Sequence, residues 1–282
     1  MTESKKEMIK LLNKIQQCEL NILKEFIRIC DKYNLKYYLV EGSMLGAVRH
    51  KGMIPWDDDI DVALFREDYK KFLEVAPSEL QLPYKLRDFS TDAEYIDYIG
   101  QIIDTTTLIE SPYRRNKELK SLWIDIFVID GIPEDNLKLK IHKFKLLYRK
   151  LMLMWSDMDH FVVLRAKRPL YEKILIRIGD ILHTSNFLST KAQLKKMDIC
   201  MSSCKVDSTN KTVNFMSEYK WRTIFPADYY GEGRIVDFED FTARIPDKAE
   251  LILSSIYGDY MQLPPEEQRY KHNMTVIKLG DE

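Results

Sequence analysis

Apolar residues recur at three- and four-residue spacing from the start of the chain. Leu11, Ile15, Cys18, Ile22, Phe26 and Cys30 form one stripe, which predicts an amphipathic helix over 4–33. Cys18 and Cys30 lie on that stripe, so packing is their expected role. Asn34 ends the helix, and the period then changes. Lys36–Val40 (KYYLV) is aromatic and β-branched, the composition of a strand. A turn is expected at Glu41–Ser43, a short helix over Met44–Arg49, a loop through Pro55 and a strand over Ile60–Phe65. A helix over Arg66–Val75 follows, with Pro77 near its end. Tyr84–Asp88 and Tyr98–Asp104 read as strands. Trp123–Ile129 is the clearest strand, apolar on both faces apart from Asp125, and Gly131 and Pro133 punctuate its end. Residues 135–182 read as mainly helical, broken by Pro169. From about 212 the pattern shortens to strands and turns, and a last helix is expected over Asp247–Ile256. There is no internal repeat and no low-complexity segment.

Composition narrows the class. The 282 residues, 45% hydrophobic and 31% charged, can bury a sizeable core. A net charge of −1 argues against a general nucleic-acid binder. Four cysteines in so long a chain do not make a disulfide framework. MTESKKEMIK lacks the apolar run of a signal peptide, and no stretch approaches the ~20 apolar residues that cross a bilayer. The expectation is a reduced cytoplasmic protein, with peripheral contact at the inner face of the membrane left open.

The chemistry concentrates in Asp57-Asp58-Asp59-Ile60-Asp61. Four negative charges in five residues repel one another. Exposure to water would relieve this in a plain acidic turn, and a cation would relieve it in a metal site. Three features favour the metal site. The run leads straight into an apolar strand, IDVALF. Asp59 and Asp61 are two apart and share one face of that strand. Gly42-Ser43 lies upstream at the head of a short helix, where backbone N–H groups can hold a phosphate. Asp125 is the lone charge in an apolar strand, and an isolated carboxylate there is costly to bury unless paired or metal-bound. Asp59, Asp61 and Asp125 converging on Mg²⁺, with Mn²⁺ as the alternative, would explain all three carboxylates. A glycine–serine turn, a DxD on a strand and a third strand aspartate together form the arrangement of the nucleotidyltransferase superfamily.

The run EGSMLGAVRHKGMIPWDDDIDVALF resembles the signature of the LicD family, which includes bacterial phosphocholine transferases and is similar to the fukutin-related proteins. The matching residues are Gly42-Ser43, Leu45-Gly46, Arg49, Gly52 and Ile54–Asp61. Trp123–Phe127 (WIDIF) resembles the next motif, with Val128 where the family usually has proline. FEDFTARIP and YGDYMQLPP, then Arg269 and His272, also look like the family. The resemblance is weakest over 135–210. It implies an α+β, nucleotidyltransferase-like fold: a mixed β-sheet flanked by helices, with a largely helical insertion and a C-terminal extension. The expected organisation is a catalytic core over 1–134 and a helical and C-terminal region over 135–282 packing on it, with one continuous domain the alternative.

The implied reaction moves a phospho-alcohol, phosphocholine foremost, from a CDP-activated donor to a hydroxyl of a glycan or lipid-linked glycan, with release of CMP. Asp59, Asp61 and Asp125 would hold the metal, and Asp125 would serve as general base. Gly42 and Ser43 would contact the phosphates, Arg49 the leaving phosphate, with Lys51 in reserve and His50 in reach. Asp57 and Asp58 would bind a second ion or anchor the loop. Trp56 and Trp123 are candidates to shape the pocket, although tryptophans often simply fill cores. An aromatic cage would suit choline, and Glu41 or Asp259 would add charge. Tyr257, Asp259 and Tyr260 fit a structural turn equally well. The rivals are an NTP-dependent nucleotidyltransferase releasing pyrophosphate, and a silent binding protein. The second would be expected to lack one of the three aspartates, and all three are present.

Lys138, Lys140, Lys143, Lys145, Arg149 and Lys150 crowd residues 138–150 without one acid, and Arg165, Lys167 and Arg168 follow. A solvated helix face, a docking site for an anionic glycan, and a membrane contact through 138–168 all fit this pattern. Cys200 and Cys204 share a helix face but lack the further ligands that zinc needs. His142, His160 and His272 read as ordinary surface or packing residues.

Overall fold

The computed structural model describes residues 3–111, 118–162, 168–269 and 275–279. Arg165, Lys167 and His272 lie outside them. The chain runs α1 (Glu3–Lys32), β1 (Tyr37–Leu39), α2 (Glu41–His50), β2 (Asp61–Phe65), α3 (Arg66–Glu79) and β3 (Tyr84–Arg87). Next come β4 (Gly100–Ser111), β5 (Glu118–Gly131), α4 (Asn136–Ser156), α5 (Met158–Phe161), α6 (Leu170–Leu182) and α7 (Thr190–Met201). It ends with β6 (Lys211–Val213), β7 (Phe225–Pro226), β8 (Arg234–Phe238), β9 (Phe241–Ile245), α8 (Ala249–Tyr257) and β10 (Thr275–Lys278).

The central sheet is mixed, in the order β1-β2-β5-β4-β10, with β3 pairing β4, and β6 and β7 extending from the end of β5. The β2–β5 pair is parallel, and its partners are antiparallel. This is the expected α+β architecture of a mixed sheet flanked by helices. The parallel pair sits at the centre of the sheet, so its paired stretches, 61–65 and 125–129, are apolar. Asp61 and Asp125 are the exceptions.

Several bounds differ from the sequence reading. Helix α2 starts at Glu41 rather than Met44, because β1 feeds it with no intervening turn. Val40 is extended (φ −130°) and Glu41 takes φ +49°. A left-handed Glu costs roughly 1–3 kcal/mol of local strain. Strands β4 and β5 run longer than their apolar cores, because their polar ends pair with each other across a hairpin. On α1, Leu11 is exposed while its neighbour Leu12 is buried, and Cys30 is buried more fully than Cys18. The buried face is broader than the single stripe, and it includes Glu19 and Glu25.

The main core joins α1, β1, α2, β2, α3 and β5 with residues of the C-terminal third, among them Phe225, Phe238, Ile245 and Leu253. A second cluster lies under α4 and α7, around Leu146, Leu153, Leu194 and Met197. Arg66, the first residue of α3, ties the two parts together. Its guanidinium donates to both carboxylate oxygens of Asp130 at the end of β5 (2.8 and 2.5 Å) and to Asp198 of α7 (2.6 Å). Tyr98 donates to Asp198 as well (2.8 Å).

Candidate functional site

The site is built where β1 ends and β2 begins, at the middle of β5 and beside α1 and α2. In the parallel pair, Asp61 stands in register with Asp125, and Asp125 with Gln101 of β4. Residues in register on neighbouring strands share one face, so Asp61, Asp125 and Gln101 form a row across three strands. Gln101 donates to Asp125 Oδ1 (2.8 Å), and Trp123, two residues before Asp125, donates to it too. The pairing extends backward into the acidic loop, where the Asp125 N–H donates to the Ile60 carbonyl (2.9 Å).

The loop is fixed from several sides. Gln16 of α1 donates to the carbonyls of Ile54 (3.0 Å) and Asp57 (2.8 Å). Ser43 Oγ accepts from the Asp61 N–H (2.8 Å), both groups being buried. The hydroxyl oxygen expected to meet phosphate therefore holds Asp61 at the head of β2. The backbone N–H groups of Gly42 and Ser43 lie in the first turn of α2, which leaves its N–H groups without intrahelical partners. Gly42 must be a glycine for a local reason. A Cβ there would stand 2.8 Å from Asp57 Oδ2 and push that carboxylate aside.

The carboxylate oxygens of Asp57, Asp58 and Asp59 lie within 4.8 Å of one another. Among the described residues this is the set of carboxylates close enough together to share an ion; Asp61 and Asp125, expected to converge with Asp59, form an in-register pair outside it. Asp59 links the two groups, because its charge raises the pKa of Asp57, Asp61 and Asp125 alike. Burial is the largest cause for all three. It lifts Asp57 to about 8 and Asp125 to about 6, and it lifts Asp61 well above the usual carboxylate range.

Two further carboxylates join them. Glu19 of α1 is buried, and burial and Asp59, Asp58 and Asp57 in turn raise its pKa well above the ordinary value. Its Oε2 has no hydrogen-bond partner. Glu41 is raised to about 7 by burial and by Glu218, Asp59 and Asp125, against a hydrogen bond with Ser217. Its Oε1 is likewise unpartnered. Glu41 also lines a small, mostly apolar cavity of about 20 Å³ with Met44, Phe225, Tyr230 and Ile256. Sequence reasoning missed Glu19 and Gln101. Glu19 follows Ile15 by four residues and so shares the buried face of α1. Gln101 stands in a strand with several other polar residues, Asp104 and Thr105–Thr107 among them, so nothing local singled it out.

The cationic side is separate. Arg49 Nη1 donates to the Tyr260 carbonyl (2.7 Å), and the Arg49 and Arg269 guanidiniums stand 6.0 and 4.7 Å from the Trp56 ring centre. Burial and Arg269 lower the pKa of Arg49. The His50 ring meets Trp56 edge-on at 5.7 Å, and burial and Arg49 lower its pKa, so it is neutral at pH 7. Trp56 is thus packed among cations at the mouth of the acidic loop. Lys51 is not brought to the cluster. It caps α2 in a left-handed conformation (φ 59°), which turns the chain toward a groove lined by Ala47, Arg234 and Asp237.

The donor set fits a hard divalent cation. Every group is a carboxylate oxygen, as Mg²⁺ prefers, and two buried oxygens lack a partner, an arrangement that is costly without positive charge. A pH dependence follows. Unfolded carboxyls ionise near 4, whereas folded Asp125, Glu41 and Asp57 keep their protons up to about 6, 7 and 8. Across that window the folded chain binds more protons than the unfolded one, so metal-free stability falls as pH rises from about 4 to about 8. A divalent cation bound there would compete with those protons. The Tm gained on adding Mg²⁺ to chelator-treated protein will be larger at pH 8 than at pH 6. A Tm indifferent to Mg²⁺ at both values would contradict a cation site.

A family model described as "LicD/FKTN/FKRP, nucleotidyltransferase domain" matches residues 34–137, which span β1 to the start of α4. Over 263 residues the chain is 30% identical to the lipopolysaccharide cholinephosphotransferase LicD of Haemophilus influenzae, covering 90% of this chain and 93% of that protein. The chain belongs to the LicD family. More distant similarity reaches the human ribitol 5-phosphate transferase FKRP, 40% identical over 55 residues (18% of this chain, 11% of that protein). The mouse ribitol-5-phosphate transferase FKTN is 26% identical over 155 residues (52% of this chain, 29% of that protein). In this LicD-family chain the matched region carries the whole row Asp61–Asp125–Gln101 and the acidic loop.

Proposed function

We propose that this protein is a Mg²⁺-dependent transferase that moves a phospho-alcohol, phosphocholine foremost, from a CDP-activated donor to a hydroxyl of a cell-surface glycan. The observation that carries the reading is the acidic set at the head of the parallel β2–β5 pair, in a chain similar along nine-tenths of its length to a lipopolysaccharide cholinephosphotransferase. Ribitol phosphate transferases among the relatives support the broader class, transfer of an alcohol phosphate.

Asp57, Asp58, Asp59, Asp61 and Asp125 are the residues that would hold the cation, with Glu19 and Glu41 adding negative charge behind them. When bound, Mg²⁺ neutralises the donor diphosphate and the charge that develops on the leaving oxygen. The chain's own residues then position the reactants. The first-turn N–H groups of α2 donate to a phosphate oxygen. Arg49, beside Trp56, offers its remaining donors to the departing CMP. The acceptor oxygen bonds to the phosphorus bearing the alcohol as the bond from that phosphorus to the CMP oxygen breaks. Asp125 takes the hydroxyl proton, held in position by Gln101 and Trp123.

Product analysis tests this against the nucleotidyltransferase alternative, which would use the same aspartates. Purified protein with Mg²⁺ is offered a mixture of CDP-alcohols and NTPs. CMP formed from one CDP-alcohol is the expected result. Pyrophosphate formed from an NTP, with the CDP-alcohols intact, would overturn the reading.

A further inference from the structure

Helices α4 and α6 each carry two apolar faces, and among the described residues one face of each is exposed. On α4 the inward side is His142, Leu146 and Leu153. On the opposite side Leu137, Ile141, Phe144 and Tyr148 recur at three- and four-residue spacing, all exposed, Phe144 at 72%. On α6 the inward residues are Ile176 and Gly179. Opposite them Leu170, Ile174, Ile178 and Ile181 form a second exposed stripe, with Leu170 at 72% and Ile181 at 65%. The two helices meet where the stripe of α4 ends. Trp155 continues the outward stripe of α4 by seven residues from Tyr148, and α6 docks there. The Trp155 indole donates to the Leu175 carbonyl (3.0 Å), and Gly179 lies against the Trp155 ring. Phe187, just beyond α6, is 82% exposed.

Contiguous exposed apolar surface of this extent marks an interaction site. Charge selects the partner. Lys138, Lys140 and Lys145 flank the α4 stripe, and Lys173 and Arg177 flank that of α6. All five are exposed, and none has an ion pair among the described residues. Of the acids on these helices, Glu172 is paired with Arg168, and Asp180 is exposed near the C-terminal end of α6. No helix among the described residues is long and apolar enough to cross a membrane. Apolar stripes bordered by unpaired lysines and arginines are the pattern of a helix lying in the plane of an anionic bilayer surface.

We infer that the α4–α6 face is a peripheral membrane-docking surface that seats its apolar stripes in the headgroup region of anionic lipid. The inference is independent of the transfer reaction, although a lipid-linked acceptor would be presented at the same surface.

Vesicle flotation tests it without any turnover. The full chain is mixed with vesicles of phosphatidylcholine alone, or of phosphatidylcholine with phosphatidylglycerol, at low and high salt. The double variant Phe144→Glu, Ile174→Glu runs alongside, with its thermal melt as a check on folding. Both positions are exposed, so the fold is expected to persist. The expected result is binding to the anionic vesicles, weakened by salt, and lost by about tenfold or more in the variant, because each large apolar anchor contributes about a tenfold factor. Should the variant fail to fold, Lys138→Gln, Lys140→Gln, Lys145→Gln gives the same comparison through charge. A wild-type chain that ignores both vesicles would overturn the inference, as would equal binding by a folded variant. So would light scattering that shows an oligomer dissolved by the double variant, which would make the face a contact between copies.

Discussion

Replacing Asp61 by asparagine will lower turnover by about a hundredfold or more and, at pH 8 without metal, raise the Tm. The two effects come from one cause. Asp61 is buried beside Asp59, Glu41, Asp125 and Asp57, and burial with their charges holds its pKa far above the ordinary value. Ionising it in the metal-free protein therefore works against the fold. Asparagine has the same shape and no charge, and the bond from the residue 61 N–H to Ser43 Oγ survives because it is a backbone bond. What is lost is one of the carboxylates proposed to hold the cation. Residues that merely orient metal ligands already cost about 10–100-fold when removed, and a ligand itself costs at least the upper end of that range. The Tm gained on adding Mg²⁺ will also shrink. Paired kinetic and melting measurements check this. An Asp61→Asn protein that is less stable without metal, or that keeps its turnover, would mean the carboxylate serves packing instead.

Replacing Arg66 by alanine will remove about 3–5 kcal/mol of stability, the usual loss when one partner of a buried ion pair is deleted. Asp130 is 2% exposed and receives both of its charged hydrogen bonds from Arg66. Without the guanidinium it is a buried charge with no counterion. Asp198 loses its cation at the same time, which loosens α7 from the end of β5. Arg66→Lys will recover only part of the loss, since an ammonium cannot reproduce the two-pronged bond. Urea unfolding measures both. A loss below about 1 kcal/mol, the value of a surface pair, would show that water reaches Asp130 freely.

The parts of the site written in local spacing were legible in the sequence. Asp59 and Asp61 two apart, an apolar strand beginning at once, and an isolated Asp125 in another strand all follow from the period-two rule and the cost of buried charge. The mixed sheet between helices was legible on the same grounds, with help from the signature run. Tertiary pairing was not. Nothing local states that Asp61 and Asp125 stand in register, or that Gln101 continues the row. Glu19 illustrates the limit most clearly. Its four-residue offset from Ile15 put it on the buried face of α1, yet a glutamate on an amphipathic helix ordinarily faces water. Only the packing of α1 against the loop gives it a reason to be inside. Ser43 went the other way. Its place beside Gly42 suggested a phosphate contact, while its oxygen serves the backbone of Asp61. The helix start at Glu41 was hidden because a left-handed glutamate is an unfavourable conformation, supported here by the site around it.

The central claim is that the acidic head of β2 and β5 handles the diphosphate of a CDP-alcohol. Phosphorus NMR on CDP-choline with Mg²⁺ tests it most directly, with the wild-type chain, a chelator control and Asp61→Asn. The account predicts that the wild type converts the two diphosphate resonances into those of CMP and of a phosphocholine product, and that the chelated and Asp61→Asn samples leave them unchanged. Diphosphate resonances that persist with the wild type, while an NTP in the same tube yields pyrophosphate, would contradict it.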